Sequence, residues 1–323
     1  MKMRKLGNSG IDISPIAIGT REVGEKSKQQ TIETLQYAID SGINFINTAD
    51  FYGMGMNELI IGEAIKNRRE KAFISVKTGA LRNHQGHFLG FDGRPNAIKN
   101  FCAYSLTRLG VNEIDLYQIA RVDPNVPIEE SVGAIKDLIQ EGKVRCLGLS
   151  EVNADQIRRA NAIHPVTAVE IEYSLATRFI EKEILPEVRK IGASLIPYSV
   201  LSYGLLTGNL SGPLPKEDYK NMFPRFQGEN LEYNLKLVEK LKDIASQKGV
   251  TAGELALAWA LHQGDDIIPI VGMSSAKRVD ENINLVESIQ LTSEENKILN
   301  DTFNSGAFKG ERYPDALLKV VAS

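Results

Sequence analysis

Tyr52 and Lys77 are the two side chains whose types and placement suggest joint chemistry, because each lies just beyond a short apolar run, Ile43–Ile46 and Ala72–Val76. A free phenol, with a pKa of ~10, is a poor acid at neutral pH unless a cation stabilises its phenolate. A lysine ammonium is a natural source of that stabilisation. If the two runs are strands of one parallel sheet, the phenol and the ammonium meet at its carboxyl edge. Arg121 is a further candidate, either pairing with Asp123 or facing a substrate. The other polar residues promise less. His84, His87, His164 and His262 have no metal-ligand spacing, and Cys102 and Cys146 form no CxxC or Cys/His cluster. Both cysteines read as buried small apolar residues, with no disulfide framework and no structural metal. Gly53 and Gly55 lack the third glycine of a dinucleotide fingerprint and read as a loop pair.

The elements that would carry these residues can be counted. Short apolar runs occur at Ile16–Ile18, Ile43–Ile46, Ala72–Val76, Ile114–Ile119, Val144–Leu149, Ala168–Ile171, Ser194–Pro197 and Ile267–Ile270. Several are apolar at most positions, as strands covered on both faces should be. Between them lie stretches with apolar residues at three and four spacing, such as Lys28–Ser41, Ile128–Glu141 and Ala154–Ala162. Ser27 and Asn153 suit helix N-caps, Pro127 a first helical position, and Gly42 and Gly142 helix stops. The expected fold is a single α/β domain over residues 1–323, a (β/α)8 TIM barrel. Lys2–Ser14 reads as an N-terminal β-hairpin closing the barrel floor. Leu201–Asp266 is too long for a simple crossover; it holds a loop from Gly204 to Phe226 and helical patterns at Leu231–Gln247 and Ala252–His262. Such a loop in a compact domain is usually functional. One more C-terminal helix follows Leu291 and breaks near Gly310–Pro314.

Composition narrows the partners. The chain is 42% hydrophobic and 24% charged, with a formal net charge of −3, which predicts a soluble globule with no general nucleic-acid-binding surface. Met1–Ser9 is polar and cationic and leads into no long apolar run. A cytoplasmic protein acting on a small molecule is therefore expected, with no membrane span; nothing indicates its oligomeric state.

In strand order, the chain carries Gly19-Thr20, Thr48-Ala49 with Tyr52-Gly53, Lys77, Gly148-Leu149-Ser150, Glu172-Tyr173-Ser174, Tyr198-Ser199, and Gly272 with Glu281-Asn282. Phe223-Pro224-Arg225-Phe226 lies in the long loop and Ala258-Trp259-Ala260 in a later helix. In this order the chain resembles the aldo-keto reductases over nearly its whole length. The resemblance implies reduction of an aldehyde or ketone by NADPH, with Tyr52 as proton donor and Lys77 as its support. It gives the catalytic positions as Asn47, Tyr52, Lys77 and Ala120. Thr20, Ser150, Glu170, Tyr198, Ser199, Leu201, Tyr203, Arg225, Gly272, Ser274, Arg278, Glu281 and Asn282 fall at cofactor-binding positions. Among these, Ser150 would hold the nicotinamide amide and Tyr198 stack on its ring, while Ser199–Tyr203 and Arg225 would surround the phosphates. The helix opening near Gly272–Ala276 suits an anion, Ser274 and Arg278 a 2′-phosphate, and Glu281 and Asn282 the adenine. Ser274 and Arg278 read equally as a cap and an exposed decoration of that helix.

Three positions depart from the family pattern. Asn47 stands where most members carry the aspartate that pairs with the lysine, Ala120 where they carry a histidine, and Glu170 where they usually carry glutamine. The expectation is a Lys77 without its ion-pair partner, a roomier substrate pocket, and slow carbonyl reduction. Two alternatives remain: an NADPH-binding regulatory protein with little turnover, or a redirected enzyme acting on a conjugated double bond.

Overall fold

Eight parallel strands account for the regularity of the apolar runs. The computed structural model describes residues 1–21 and 27–322. The strands are Ala17–Gly19 (β1), Phe45–Ala49 (β2), Phe73–Thr78 (β3), Ile114–Ile119 (β4), Val144–Ser150 (β5), Val166–Glu172 (β6), Ser194–Tyr198 (β7) and Ile270–Gly272 (β8). They pair in the order β7-β6-β5-β4-β3-β2-β1-β8. Leu195 of β7 closes the ring, donating from its N–H to Asp266 O at 2.9 Å and accepting from Ile268 N–H at 2.8 Å. The result is a (β/α)8 barrel, as expected. The last run begins its regular ladder at Ile270 rather than Ile267, because Pro269 has no N–H to donate.

Alternation along each strand sorts side chains into a barrel interior and an outer face. The innermost floor layer takes one residue from each strand or its immediate lead-in: Ala17, Phe45, Phe73, Leu116, Cys146, Ala168, Ile196 and Ile268, all buried. Phe45 and Phe73 meet edge to face with centroids 5.1 Å apart. Leu6 and Ile13 plug this layer from below. They belong to the N-terminal hairpin, Arg4–Lys5 against Asp12–Ile13, which seals the floor as the sequence predicts. Gly7 at its tip has φ +48°, and a Cβ there would lie 2.6 Å from Thr167 O, so the close approach requires glycine. Arg4 then fixes the hairpin to the end of the chain's last barrel segment, donating to Leu261 O, Gly264 O and Ile267 O.

The outer faces, including Ile74, Val76, Leu147, Leu149, Val169 and Ile171, pack under helices. These are Lys28–Asp40 (α1), Met56–Ile65 (α2), Pro95–Leu109 (α3), Ile128–Gln140 (α4), Ala154–Ile163 (α5), Ile184–Lys190 (α6), Gly228–Lys248 (α7), Ala252–His262 (α8), Ala276–Ser288 (α9), Ser293–Thr302 (α10) and Asp315–Leu318 (α11). Ser27 caps Gln30 N–H, and Asn153 forms a reciprocal capping box with Gln156. Pro127 sits at the cap of α4 rather than inside it. Residues 79–93 contain a two-stranded hairpin, Ala80–Arg82 against Phe88–Phe91. Trp259 on α8 is fully buried, donates to Asn300 Oδ1 at 3.0 Å and packs 5.1 Å from the Tyr173 ring. No helix among the described residues is long and apolar enough to cross a membrane.

Candidate active site

Above the apolar floor the same alternation turns polar. Asn47, Ser75, Gln118, Gly148 and Glu170 form the next interior layer, and Lys77, Ala120, Ser150, Glu172 and Tyr198 the one at the mouth. Parallel pairing sets Asn47 beside Ser75, Ala49 beside Lys77, Lys77 beside Gln118, and Ser150 beside Glu170. Lys77, Asn47 and Glu170 are each no more than 4% exposed. The Lys77 ammonium donates to Asn47 Oδ1 at 2.6 Å and pairs with Glu170 Oε1 at 3.1 Å. Asn47 Nδ2 donates to Glu170 Oε2 at 2.7 Å, and Gln118 Nε2 donates to the same oxygen at 2.9 Å and to Ser75 Oγ at 2.8 Å. Lys77 thus has a carboxylate partner after all. It comes from β6, three strands from β3 and across the barrel, instead of from position 47.

Tyr52 follows β2 in a short 3₁₀ turn, Tyr52–Gly55, and is half-buried at the mouth. The Lys77 ammonium lies 5.4 Å from its ring centroid, so the two residues converge as their spacing predicts. Asp50, just before it, is buried and accepts from Thr78 Oγ1 at 2.6 Å. Burial pushes the Asp50 carboxyl up to about 7, with nearby Glu58 adding to the effect and Thr78 and Arg108 opposing it. Ala120 is buried and presents no donor where an imidazole would stand. Arg121 donates to Ala120 O and, at 3.2 Å, to Ser150 Oγ. Its expected partner Asp123 instead accepts from the backbone N–H groups of Gly93 and Asn125, and no ion pair joins the two.

A second polar cluster covers the mouth from the C-terminal side. Arg312, which sequence reasoning gave no role, is held by Glu151 at 2.6 Å and Glu172 at 3.5 Å and donates to Ala322 O. Glu151 has φ +54°, a strained value for a non-glycine residue that the surrounding bonds hold in place. Burial works against its charge, but Arg121 and Arg312 hold its carboxyl below the usual range. Tyr198 donates to Glu151 Oε1 at 2.6 Å and its hydroxyl lies 2.9 Å from that of Tyr313, which in turn lies 3.0 Å from that of Tyr203. Burial, and then Glu151, push Tyr198 well above the ordinary phenol value. Arg225 is 4% exposed, donating to Thr177 Oγ1 at 2.9 Å and Ser202 Oγ at 3.1 Å, and its Nε is buried with no partner among the described residues. The backbone above it turns sharply, with Ser199, Ser202, Tyr203 and Gly204 all at positive φ and Leu201 between them.

The remaining candidates lie around the same rim. Thr20 is buried, its hydroxyl donating to Asn47 O at 3.0 Å. Gly272 ends β8, Ser274 lies between it and α9, and Ser275 rather than Ser274 caps that helix. Arg278 is exposed and paired with Glu281 at 2.8 Å, while Asn282 Nδ2 donates to Arg278 O at 2.7 Å. A cleft of about 760 Å³ lies at the opposite end of the barrel, where Asp115 is shared by Arg69 and Arg145 and no residue of the Tyr52–Lys77 pair is present. Arg145 also pairs with Glu113 there at 3.7 Å, so two guanidinium groups and two carboxylates offset one another at that end. Among the described residues no group of three or more His, Cys, Asp or Glu is placed to hold a metal ion.

Comparison with known proteins supplies the family. Residues 15–302 match the profile described as Aldo/keto reductase family. "Probable aldo-keto reductase 1" of Glycine max is 39% identical over 320 residues, covering 97% of this chain and 92% of the relative. Among solved structures, the glycerol dehydrogenase AKR11B4 from Gluconobacter oxydans superposes with a TM-score of 0.86 at 31% identity, covering 93% of this chain and 94% of that one. The holo form of aldo-keto reductase AKR11C1 from Bacillus halodurans gives 0.79 at 28% identity, covering 94% and 96%. With a closed eight-stranded barrel and a tyrosine beside a buried lysine at its mouth, the chain belongs to the aldo/keto reductase family of oxidoreductases.

Proposed function

We propose that this chain is an NADPH-dependent reductase of small aldehydes or ketones. The observation that carries the proposal is the Tyr52 ring 5.4 Å from a buried lysine ammonium held by Asn47 and Glu170 at the barrel mouth. When bound, the reduced nicotinamide supplies a hydride to the carbonyl carbon. Tyr52 then gives its phenolic proton to the carbonyl oxygen, and the Lys77 ammonium stabilises the phenolate left behind. Ser150, at the rim of β5, would hold the nicotinamide amide. The partnerless Nε of Arg225 beneath a tightly turned Ser199–Gly204 backbone supports phosphate binding there. Arg278 at the first turn of α9 favours a 2′-phosphate, hence NADPH over NADH.

Ala120 favours a second reading. With no side-chain donor at that position, the carbonyl oxygen loses one hydrogen bond, which typically costs about 10²-fold in rate. A binder with little turnover, or an enzyme redirected to a conjugated double bond, would follow from the same geometry. Fluorescence titration with NADPH and NADH, followed by a carbonyl panel read at the reduced cofactor's absorbance, separates these outcomes. The proposal expects NADPH binding and turnover, and a Tyr52→Phe variant at least ~10²-fold slower with NADPH affinity unchanged within about threefold. Absence of NADPH binding, or a Tyr52→Phe variant as fast as the parent, would refute it.

A further inference from the structure

We propose that Glu170 is the positioning carboxylate of this site, holding the Lys77 ammonium from across the barrel, with Asn47 as the neutral bridge between them. The inference rests on the reading of Tyr52 and Lys77 as the working pair. A buried ammonium without a counter-charge is strongly disfavoured, so the fold must supply a carboxylate. Within reach of Lys77 that carboxylate is Glu170, at 3.1 Å from one oxygen and 3.3 Å from the other.

The surrounding bonds are specific to this arrangement. Asn47 Oδ1 accepts from Lys77 while its Nδ2 donates to Glu170, so the amide can face only one way; reversing it would set its NH₂ against the ammonium. Glu170 Oε2 also accepts from Gln118, whose side chain lies across Gly148: a Cβ at that position would fall 2.5 Å from Gln118 Cγ. Donors from β2, β3 and β4 thus converge on Oε2 of this carboxylate, while its Oε1 faces the Lys77 ammonium. In this proposal Glu170 acts through Lys77, whereas the family resemblance implies a cofactor-binding role at its position. An aspartate at position 47 would place a second carboxylate about where Nδ2 now lies, 2.7 Å from Glu170, with one ammonium for both. A glutamine at position 170 would leave Lys77 with amides alone. Asn47 and Glu170 are thus a matched pair, each tolerable because of the other.

The reciprocal exchange tests this. Glu170→Gln alone is expected to lower kcat at least about tenfold, shift the pH dependence of kcat, and change NADPH affinity less than about threefold. Asn47→Asp alone is expected to be similarly impaired. The double variant Asn47→Asp/Glu170→Gln returns a carboxylate to Lys77 from β2 and is expected to recover most of the rate and the parent pH profile. Glu170→Asp, shorter but charged, should fall between. A second measurement needs no turnover: urea midpoints of the two single variants fall, and that of the double variant returns towards the parent. If the parent binds no cofactor or turns over no carbonyl, the functional reading fails while the urea cycle still tests the charge placement. Single variants whose effects on midpoint simply add, or a Glu170→Gln enzyme as fast as the parent with an unmoved pH profile, would overturn the proposal. A purely structural role for Glu170 would move the urea midpoint and leave the pH profile in place, which also overturns it.

Discussion

Asp50 offers a test in which the fold works against a charge. Its carboxyl is buried two residues before Tyr52, and burial is the largest reason that its value rises from 3.8 to about 7. The native state therefore prefers the neutral acid. Stability from this preference is complete below the ordinary carboxylate value, declines as pH rises, and is exhausted above about 7. The whole effect has a ceiling of roughly 4 kcal/mol, of which roughly 2–3 kcal/mol falls between pH ~5 and pH ~8. Asp50→Asn keeps an oxygen for the Thr78 hydroxyl and removes the ionisation. The variant should therefore gain on the parent as pH rises, by that amount across the window. Glu151, held below the usual range by Arg121 and Arg312 against its burial, titrates on the acid side and is common to both proteins. Urea unfolding at a series of pH values, followed by the emission of the single tryptophan, Trp259, measures the difference. A gap between variant and parent that stays constant within ~0.5 kcal/mol, or that widens towards acid, would refute the reasoning.

Two further substitutions probe the polar layers. Gly148→Ala drives a Cβ to within 2.5 Å of Gln118 Cγ, so it should cost roughly 1–3 kcal/mol and lower kcat by disturbing Glu170; removing the clash with Gln118→Ala in the same chain should return part of the stability. Arg312→Ala leaves Glu151 buried without its 2.6 Å partner and is expected to cost roughly 3 kcal/mol or more, with faster proteolytic trimming of the tail beyond residue 310. Pairing it with Glu151→Gln should recover part of that loss, as measured by urea midpoint.

The strands were legible because a two-sided parallel sheet demands apolar runs, and all eight runs fall on the barrel. Their polar ends were less so: Lys77-Thr78, Ser150 and Glu172 lie within the ladder, where the hydrophobic pattern has already stopped. The Tyr52–Lys77 pair was visible because adjacent strands carry it. Glu170 was not, since its bonds to Asn47 and Lys77 join positions 123 and 93 residues apart and exist only once the sheet has curled shut. The absence of an aspartate at position 47 suggested an orphaned lysine, when the charge had only changed strands. Arg312 and Glu151, 161 residues apart, likewise left no periodic or spacing signal. Arg225 was found through its motif, but its burial against Thr177 and Ser202 belongs to loop conformation, which composition does not encode.

The plug beneath the barrel has a consequence for biogenesis. Leu6 and Ile13 complete a layer that includes Ile268, and Arg4 bonds to carbonyls at 261, 264 and 267, some 257 to 263 residues downstream. On a ribosome the hairpin emerges well before its berth and can dock only after residues 261 to 268 have been translated. Until then Leu6, Ile13 and the open lower ring are wet, and an N-terminal fusion pressed against that end obstructs the final stroke of assembly more than one at the mouth.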